Sequence, residues 1–161
     1  MKRSFLFFPL MVLFSILGCA SSKQGSQAPD FILPQASDSS PVALSNLHQQ
    51  TPVLLVFWAS WCPSCVEEIP QLKAIYQKYP KSKLQLVAIN VQESQKDVQR
   101  FIKEKALPYS VLLDLDGAVA ARYDVAGLPA SVLLAKGGEI LYYGFSLPAQ
   151  LDSWLEPRST T

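Results

Sequence analysis

Between Thr51 and Tyr79 the chain changes its periodicity once, and two cysteines mark the change. Val53-Leu54-Leu55-Val56-Phe57-Trp58 is an uninterrupted apolar run rich in β-branched and aromatic residues, the pattern of a strand covered on both faces of a sheet. Cys62-Pro63-Ser64-Cys65 then opens a stretch in which Cys65, Ile69, Leu72, Tyr76 and Tyr79 recur at steps of four and three, the spacing of a helix with one buried face. Pro63 suits the first turn of that helix, where its missing N–H leaves no bond unmade. The sequence therefore predicts a central strand leading into a helix, with Cys62 at the helix mouth and Cys65 one turn inside. Unpaired backbone N–H groups and the positive end of the helix dipole stabilise a thiolate at that mouth, which lowers Cys62 below the free-cysteine value of about 8.5.

The chain holds only three cysteines and one histidine, and this limits what a Cys-x-x-Cys can do. A purely structural disulfide closing so short a loop constrains the unfolded chain little. Zinc needs at least three protein ligands, and beyond the cysteine pair only His48 is on offer, in the polar loop Leu47-His48-Gln49-Gln50, where it is assigned no role. A haem attachment site requires His after the second Cys, and Val66 stands there. The reading that remains is a redox-active dithiol in which Cys62 attacks and Cys65 resolves. The disulfide is its own redox group, so neither a metal nor another cofactor is expected. With 14 basic against 13 acidic side chains, scattered singly, the chain lacks the basic excess that nucleic-acid binding needs. Its 161 residues fit a single domain.

The N-terminus reads as an export signal: Lys2 and Arg3, then an apolar run from Phe5 to Leu17. As a helix that run spans about 20 Å, short of the roughly 30 Å of bilayer hydrocarbon. Its ending, Ile16-Leu17-Gly18-Cys19, resembles a bacterial lipobox, which implies cleavage before Cys19 and acylation of that thiol. Residues 1–18 are then a signal peptide, 19–27 a lipidated Cys and flexible polar tether, and 28–161 the folded domain. Removal of Lys2 and Arg3 leaves no positive charge to spare, so the lipid alone holds the domain to a membrane, at about 0.8 kcal/mol per buried CH₂.

Trp58-Ala59-Ser60-Trp61-Cys62-Pro63-Ser64-Cys65, together with the opening Ala28-Pro29-Asp30-Phe31 and the later Gly127-Leu128-Pro129-Ala130-Ser131, resembles the thioredoxin superfamily, specifically membrane-tethered thiol-disulfide oxidoreductases of the TlpA/ResA/CcmG type. The resemblance spans roughly residues 28–156. It implies an α/β thioredoxin-like fold: a central mixed sheet flanked by helices, an N-terminal strand or hairpin within 32–47 ending in a short turn at Ser45-Asn46-Leu47, and a βα-type insertion over about 94–114. It also implies that Leu128-Pro129 is cis and faces the dithiol, that Trp61, Pro63, Ser64, Leu128 and Pro129 contact substrate, and that Cys62, Cys65 and Glu68 do the chemistry. Val56 stands where cytosolic thioredoxins keep a buried Asp. Glu68, one turn beyond Cys65, is then the candidate base, and Glu67 reads as a solvated helix charge. Pro70 removes one bond of the helix and predicts a bend. Ala130 departs from the Thr usual after this proline.

Elsewhere, Leu84–Val91, Tyr109–Leu115, Ser131–Leu134 and Glu139–Tyr143 read as strands, the last two joined by Lys136-Gly137-Gly138 as a hairpin. Ser94 and Asp97 start a helix, Ala118–Tyr123 and Leu147–Leu155 form two more, and Phe101, Phe145 and Trp154 are expected in the core. The family resemblance implies a monomer in the cell envelope that exchanges with protein thiols and disulfides. The resemblance also implies a reductant, kept reduced by a membrane thiol-transfer protein and serving apocytochrome c, another secreted thiol protein or a peroxidase. Two other classes compete. A thiol peroxidase shares Ala28-Pro29-Asp30-Phe31 but needs Thr-x-x-Cys where Ala59-Ser60-Trp61-Cys62 stands, and a SCO-like copper module needs Cys-x-x-x-Cys and a later His.

Overall fold

The computed structural model describes residues 23–155; the signal peptide and the Cys19 lipidation site lie outside them. Five strands form the main sheet in the order β5-β4-β3-β6-β7: β3 (Val53–Trp58), β4 (Gln85–Val91), β5 (Ser110–Asp114), β6 (Ala130–Leu134) and β7 (Ile140–Gly144). β3, β4 and β5 run parallel, and β6 and β7 are antiparallel to their neighbours, so the sheet is mixed. Every residue of β3 is buried, as its unbroken apolar run requires. Leu54, Val56 and Trp58 pack on one side with Cys65, Ile69 and Leu72, while Val53, Leu55 and Phe57 pack on the other with Phe31, Leu44, Val119 and Tyr123.

The first side is covered by α2 (Pro63–Lys78), α3 (Gln95–Lys105) and α5 (Leu151–Leu155); the second by α1 (Leu44–His48), α4 (Ala118–Arg122) and the hairpin β1 (Ile32–Pro34)–β2 (Pro41–Ala43). α3 starts where its capping residues predict: Ser94 Oγ accepts the Asp97 N–H at 3.2 Å. The segment read as an insertion supplies α3 and the edge strand β5.

Four expectations need correcting. The turn at Ser45-Asn46-Leu47 is part of α1, because Leu44 finds a fully buried site against the sheet. The final helix begins at Leu151 rather than Leu147. Phe145, assigned to the core, is 56% exposed: β7 ends at Gly144, so the next side chain has no sheet to cover it and meets the Tyr143 ring edge-on. The end of the supposed tether is docked. Gly25 N–H donates to Ile140 O at 2.8 Å, Ile140 N–H to Ser26 O at 2.9 Å and Ala28 N–H to Gly138 O at 2.9 Å. Residues 25–28 thus satisfy the backbone groups that an edge strand would leave open.

One carboxylate ties the β5 edge to the layer beneath. Asp114 is fully buried, and its two oxygens accept the Val119 and Ala120 N–H groups at 3.1 and 2.8 Å, which caps α4. Gly117, at the N-cap of α4 with φ of 74°, leaves room there for Gln92, whose Nε2 would lie 3.0 Å from an added Cβ. Asp114→Ala leaves two buried donors without partners and is expected to cost about 3 kcal/mol. Urea denaturation measures it, and a loss below about 1 kcal/mol would show that the cap is dispensable.

Candidate active site

β3 delivers the chain at the carboxyl end of the parallel strands, where open α/β sheets place their sites. A tight turn follows, with Cys62 N–H donating to Ala59 O at 3.3 Å, and α2 begins at Pro63. Cys62 is the N-cap residue, in extended backbone conformation, and its Sγ accepts the Cys65 N–H at 3.2 Å. That is the place of a capping side-chain oxygen, taken here by sulfur. Sγ also lies 3.5 Å from Ser64 Oγ. Cys62 and Cys65 are joined as a disulfide, with Cα atoms 5.3 Å apart. Each dipole and N–H group at this helix end favours negative charge on Cys62 once the bond is reduced.

Burial does not separate the two cysteines in the disulfide form: Cys62 is 4% and Cys65 3% exposed. Both cysteines are nearly closed to solvent in this state. Position separates them instead. Cys65 lies on the inner side of α2 and lines a small cavity of about 10 Å³ with Val56, Trp58, Glu68, Ile69 and Pro129, whereas Cys62 caps the helix. A larger cavity of about 330 Å³ lies at the opposite end of the sheet, around Tyr76, Tyr79 and Leu84, and none of the dithiol residues lines it. Of these two cavities, only the small one is lined by a residue of the dithiol.

Glu68 is half-buried beneath Cys65, and its Oε2 has no hydrogen-bond partner. Burial raises its carboxyl above the ordinary 4.5, opposed by a hydrogen bond from the Leu147 backbone. Val56, at the position of the missing Asp, lines the same cavity, so Glu68 is the carboxyl that reaches it from α2. Glu67 is exposed, as a solvated charge should be.

The Leu128–Pro129 peptide bond is cis. β6 begins one residue later, with Ala130 paired to Phe57, and this brings Pro129, buried, against the cavity under Cys65. Trp61 is 70% exposed, and Pro63 and Ser64 are exposed around the sulfurs. Phe145 joins this surface: one of its ring carbons would lie 3.9 Å from a Cβ added to Gly127, two residues before the cis-proline. Glu93 was missed from the sequence. Its carboxylate accepts the Ser60 N–H at 2.7 Å, the Ser60 hydroxyl, and Asn90 Nδ2–H at 2.6 Å. The only sequence signal for it is an acid set just after a strand whose last residues face the motif. Among the described residues no group of three or more His, Cys, Asp and Glu is arranged to hold a metal ion, and no helix there is long and apolar enough to cross a membrane.

A helix-capping Cys-x-x-Cys disulfide facing a cis-proline on a mixed five-stranded sheet defines a thioredoxin-fold thiol-disulfide oxidoreductase. The chain belongs to the Redoxin family, whose model matches residues 23–146, and within the thioredoxin superfamily it is of the TlpA/ResA-like kind. It is 32% identical over 145 residues to sporulation thiol-disulfide oxidoreductase A of Bacillus subtilis (strain 168), covering 86% of this chain and 87% of that protein. The crystal structure of StoA from Bacillus subtilis superposes with a TM-score of 0.68 at 29% identity, over 80% of this chain and 98% of that one. Thiol-disulfide oxidoreductase ResA of the same strain is 34% identical over 124 residues, covering 77% and 68% of the two chains. A secreted Mycobacterium tuberculosis disulfide oxidoreductase homologous to E. coli DsbE aligns with a TM-score of 0.66 and 27% identity over 78% and 93%.

Proposed function

We propose that this enzyme reduces disulfides of exported proteins at a membrane surface, with Cys62 as the attacking thiol, Cys65 as the resolving thiol and Glu68 as the base that serves Cys65. The observation that carries the reading is Cys62 at the N-cap of α2 with the Cys65 N–H directed at its sulfur. The Cys62 thiolate attacks one sulfur of the partner's disulfide; that bond breaks, a mixed disulfide forms, and the partner's other sulfur leaves as a thiolate and takes up a proton. Glu68 accepts the Cys65 proton, and Cys65 attacks Cys62 Sγ. The intramolecular disulfide re-forms and the partner leaves with both thiols reduced. A dithiol donor, a membrane thiol-transfer protein, then returns the two electrons.

The partner lies across Trp61, Pro63, Ser64, Leu128 and Pro129 in extended form, with the Leu128 backbone free to pair with it, as in strand addition. Exposed Phe145 extends this surface at its β7 edge. Export rests on the signal-like N-terminus and attachment on acylated Cys19, which together give an envelope location. Apocytochrome c fits as one client among exported thiol proteins. Cys65→Ser tests the scheme: it is expected to accumulate a mixed disulfide between Cys62 and the partner, stable to non-reducing electrophoresis and released by dithiothreitol. Failure to trap a glutathione or peptide disulfide under conditions where the native protein turns it over would overturn the assignment of Cys65.

A further inference from the structure

We propose that Glu93 is a positioning residue of the dithiol, clasping the loop before Cys62 so that the sulfur stays seated on the end of α2. The clasp is made by both carboxylate oxygens. One accepts the Ser60 N–H at 2.7 Å and Asn90 Nδ2–H at 2.6 Å, and the other accepts the Ser60 hydroxyl. Asn90 is 1% exposed and is the register partner of Trp58 across β3 and β4, so the clasp is anchored to the buried carboxyl end of two paired inner strands. Ser60 is two residues before Cys62, inside the turn that brings β3 into α2. Among the described residues no lysine or arginine forms an ion pair with this carboxylate. Its charge is satisfied by neutral donors alone, two of them from Ser60. Hydrogen bonds to a charged group are stronger than neutral ones and fix geometry closely. Here they fix the turn between β3 and α2, a stretch that belongs to no helix or strand.

Two effects of Glu93 on Cys62 oppose each other. The clasp favours the thiolate, because it holds Sγ within 3.2 Å of the Cys65 N–H. The negative charge on the Glu93 carboxylate disfavours it through space. The other acids near the sulfurs are on α2: Glu67, exposed, and Glu68, beneath Cys65. Neither is in the clasp, so substitution at Glu93 leaves them in place.

The inference rests on Cys62 being the attacking thiol, and the test separates the two. Glu93→Gln can keep all three contacts, its carbonyl accepting from Ser60 N–H and Asn90 while its NH₂ donates to the Ser60 oxygen; it removes only the charge. Glu93→Ala removes both. The readouts are the pH dependence of Cys62 alkylation in the reduced protein and the rate of exchange with a peptide disulfide. Glu93→Gln is expected to lower the alkylation midpoint, by about half a unit, with exchange undiminished. Glu93→Ala is expected to raise the midpoint toward about 8.5 and slow exchange about tenfold or more. If Glu93→Ala does not fold, Ser60→Ala, which keeps the backbone contact and loses the hydroxyl one, is expected to move the midpoint the same way by less. Variants that lose thermal stability while their midpoints stay at the native value would overturn the clasp and leave it a structural contact. A native protein whose Cys62 titrates as a free thiol would instead overturn the function proposed above.

Discussion

Cys62→Ser is expected to abolish disulfide exchange outright, while Cys65→Ser retains the first half of the reaction. Both substitutions remove the same disulfide, so their structural cost is shared. A bridge closing a four-residue loop restricts the unfolded chain by about 2 kcal/mol at most, and both variants should unfold at about the same urea concentration. Their chemistry differs because the sulfurs occupy different places. Cys62 caps α2 with the Cys65 N–H at 3.2 Å, and a serine hydroxyl there caps the helix equally well but does not ionise and cannot attack a disulfide. Cys65 lies against the inner cavity, and its loss strands the partner on Cys62. Rapid mixing with a chromogenic disulfide reads both outcomes. Exchange by Cys62→Ser, or equal residual rates in the two variants, would contradict the assigned order.

Glu68→Gln should slow turnover about a hundredfold near neutral pH, the scale of a lost general base, and should leave the first attack by Cys62 intact. Its signature is the pH profile. With Glu68 present, the rate of mixed-disulfide resolution rises as the carboxyl ionises, above its ordinary 4.5 because burial opposes the charge; with Gln the rate should follow only the intrinsic ionisation of Cys65. The same residue links stability to pH. A carboxyl whose folded-state value is raised binds its proton more tightly folded than unfolded, so its contribution is fully present below 4.5 and is lost as pH rises through the folded value. Glu68→Gln should therefore gain stability relative to the native protein between pH 4 and pH 7. Identical pH–rate profiles for the two proteins would remove Glu68 from the mechanism.

Much of this architecture was legible because periodicity is a strong signal wherever burial is complete. The all-apolar run of β3 could only be a central strand, and the four-and-three spacing after Cys62 could only be a one-sided helix. The cis-proline and the role proposed for Glu68 came from the resemblance to known oxidoreductases; the residues alone would not have given them. What escaped depended on neighbours distant in sequence. Phe145 looks like a core aromatic until β7 is seen to stop at Gly144. The polar segment read as a tether over 19–27 looks free until the backbone of Gly25 and Ser26 is seen pairing with Ile140 of β7, because an edge strand recruits main-chain groups regardless of side chain. Glu93 carries no motif of its own, and its importance appears only when the end of β4 and the turn after β3 come together around Ser60.

The direct test of the central claim is the alkylation rate of Cys62 by iodoacetamide in the fully reduced protein as a function of pH, with Cys65→Ser used to isolate one sulfur. A helix-capping thiolate predicts a midpoint at or below about 7.5, the range of cysteines at helix N-termini. A midpoint near 8.5, where an unstructured cysteine titrates, would contradict it.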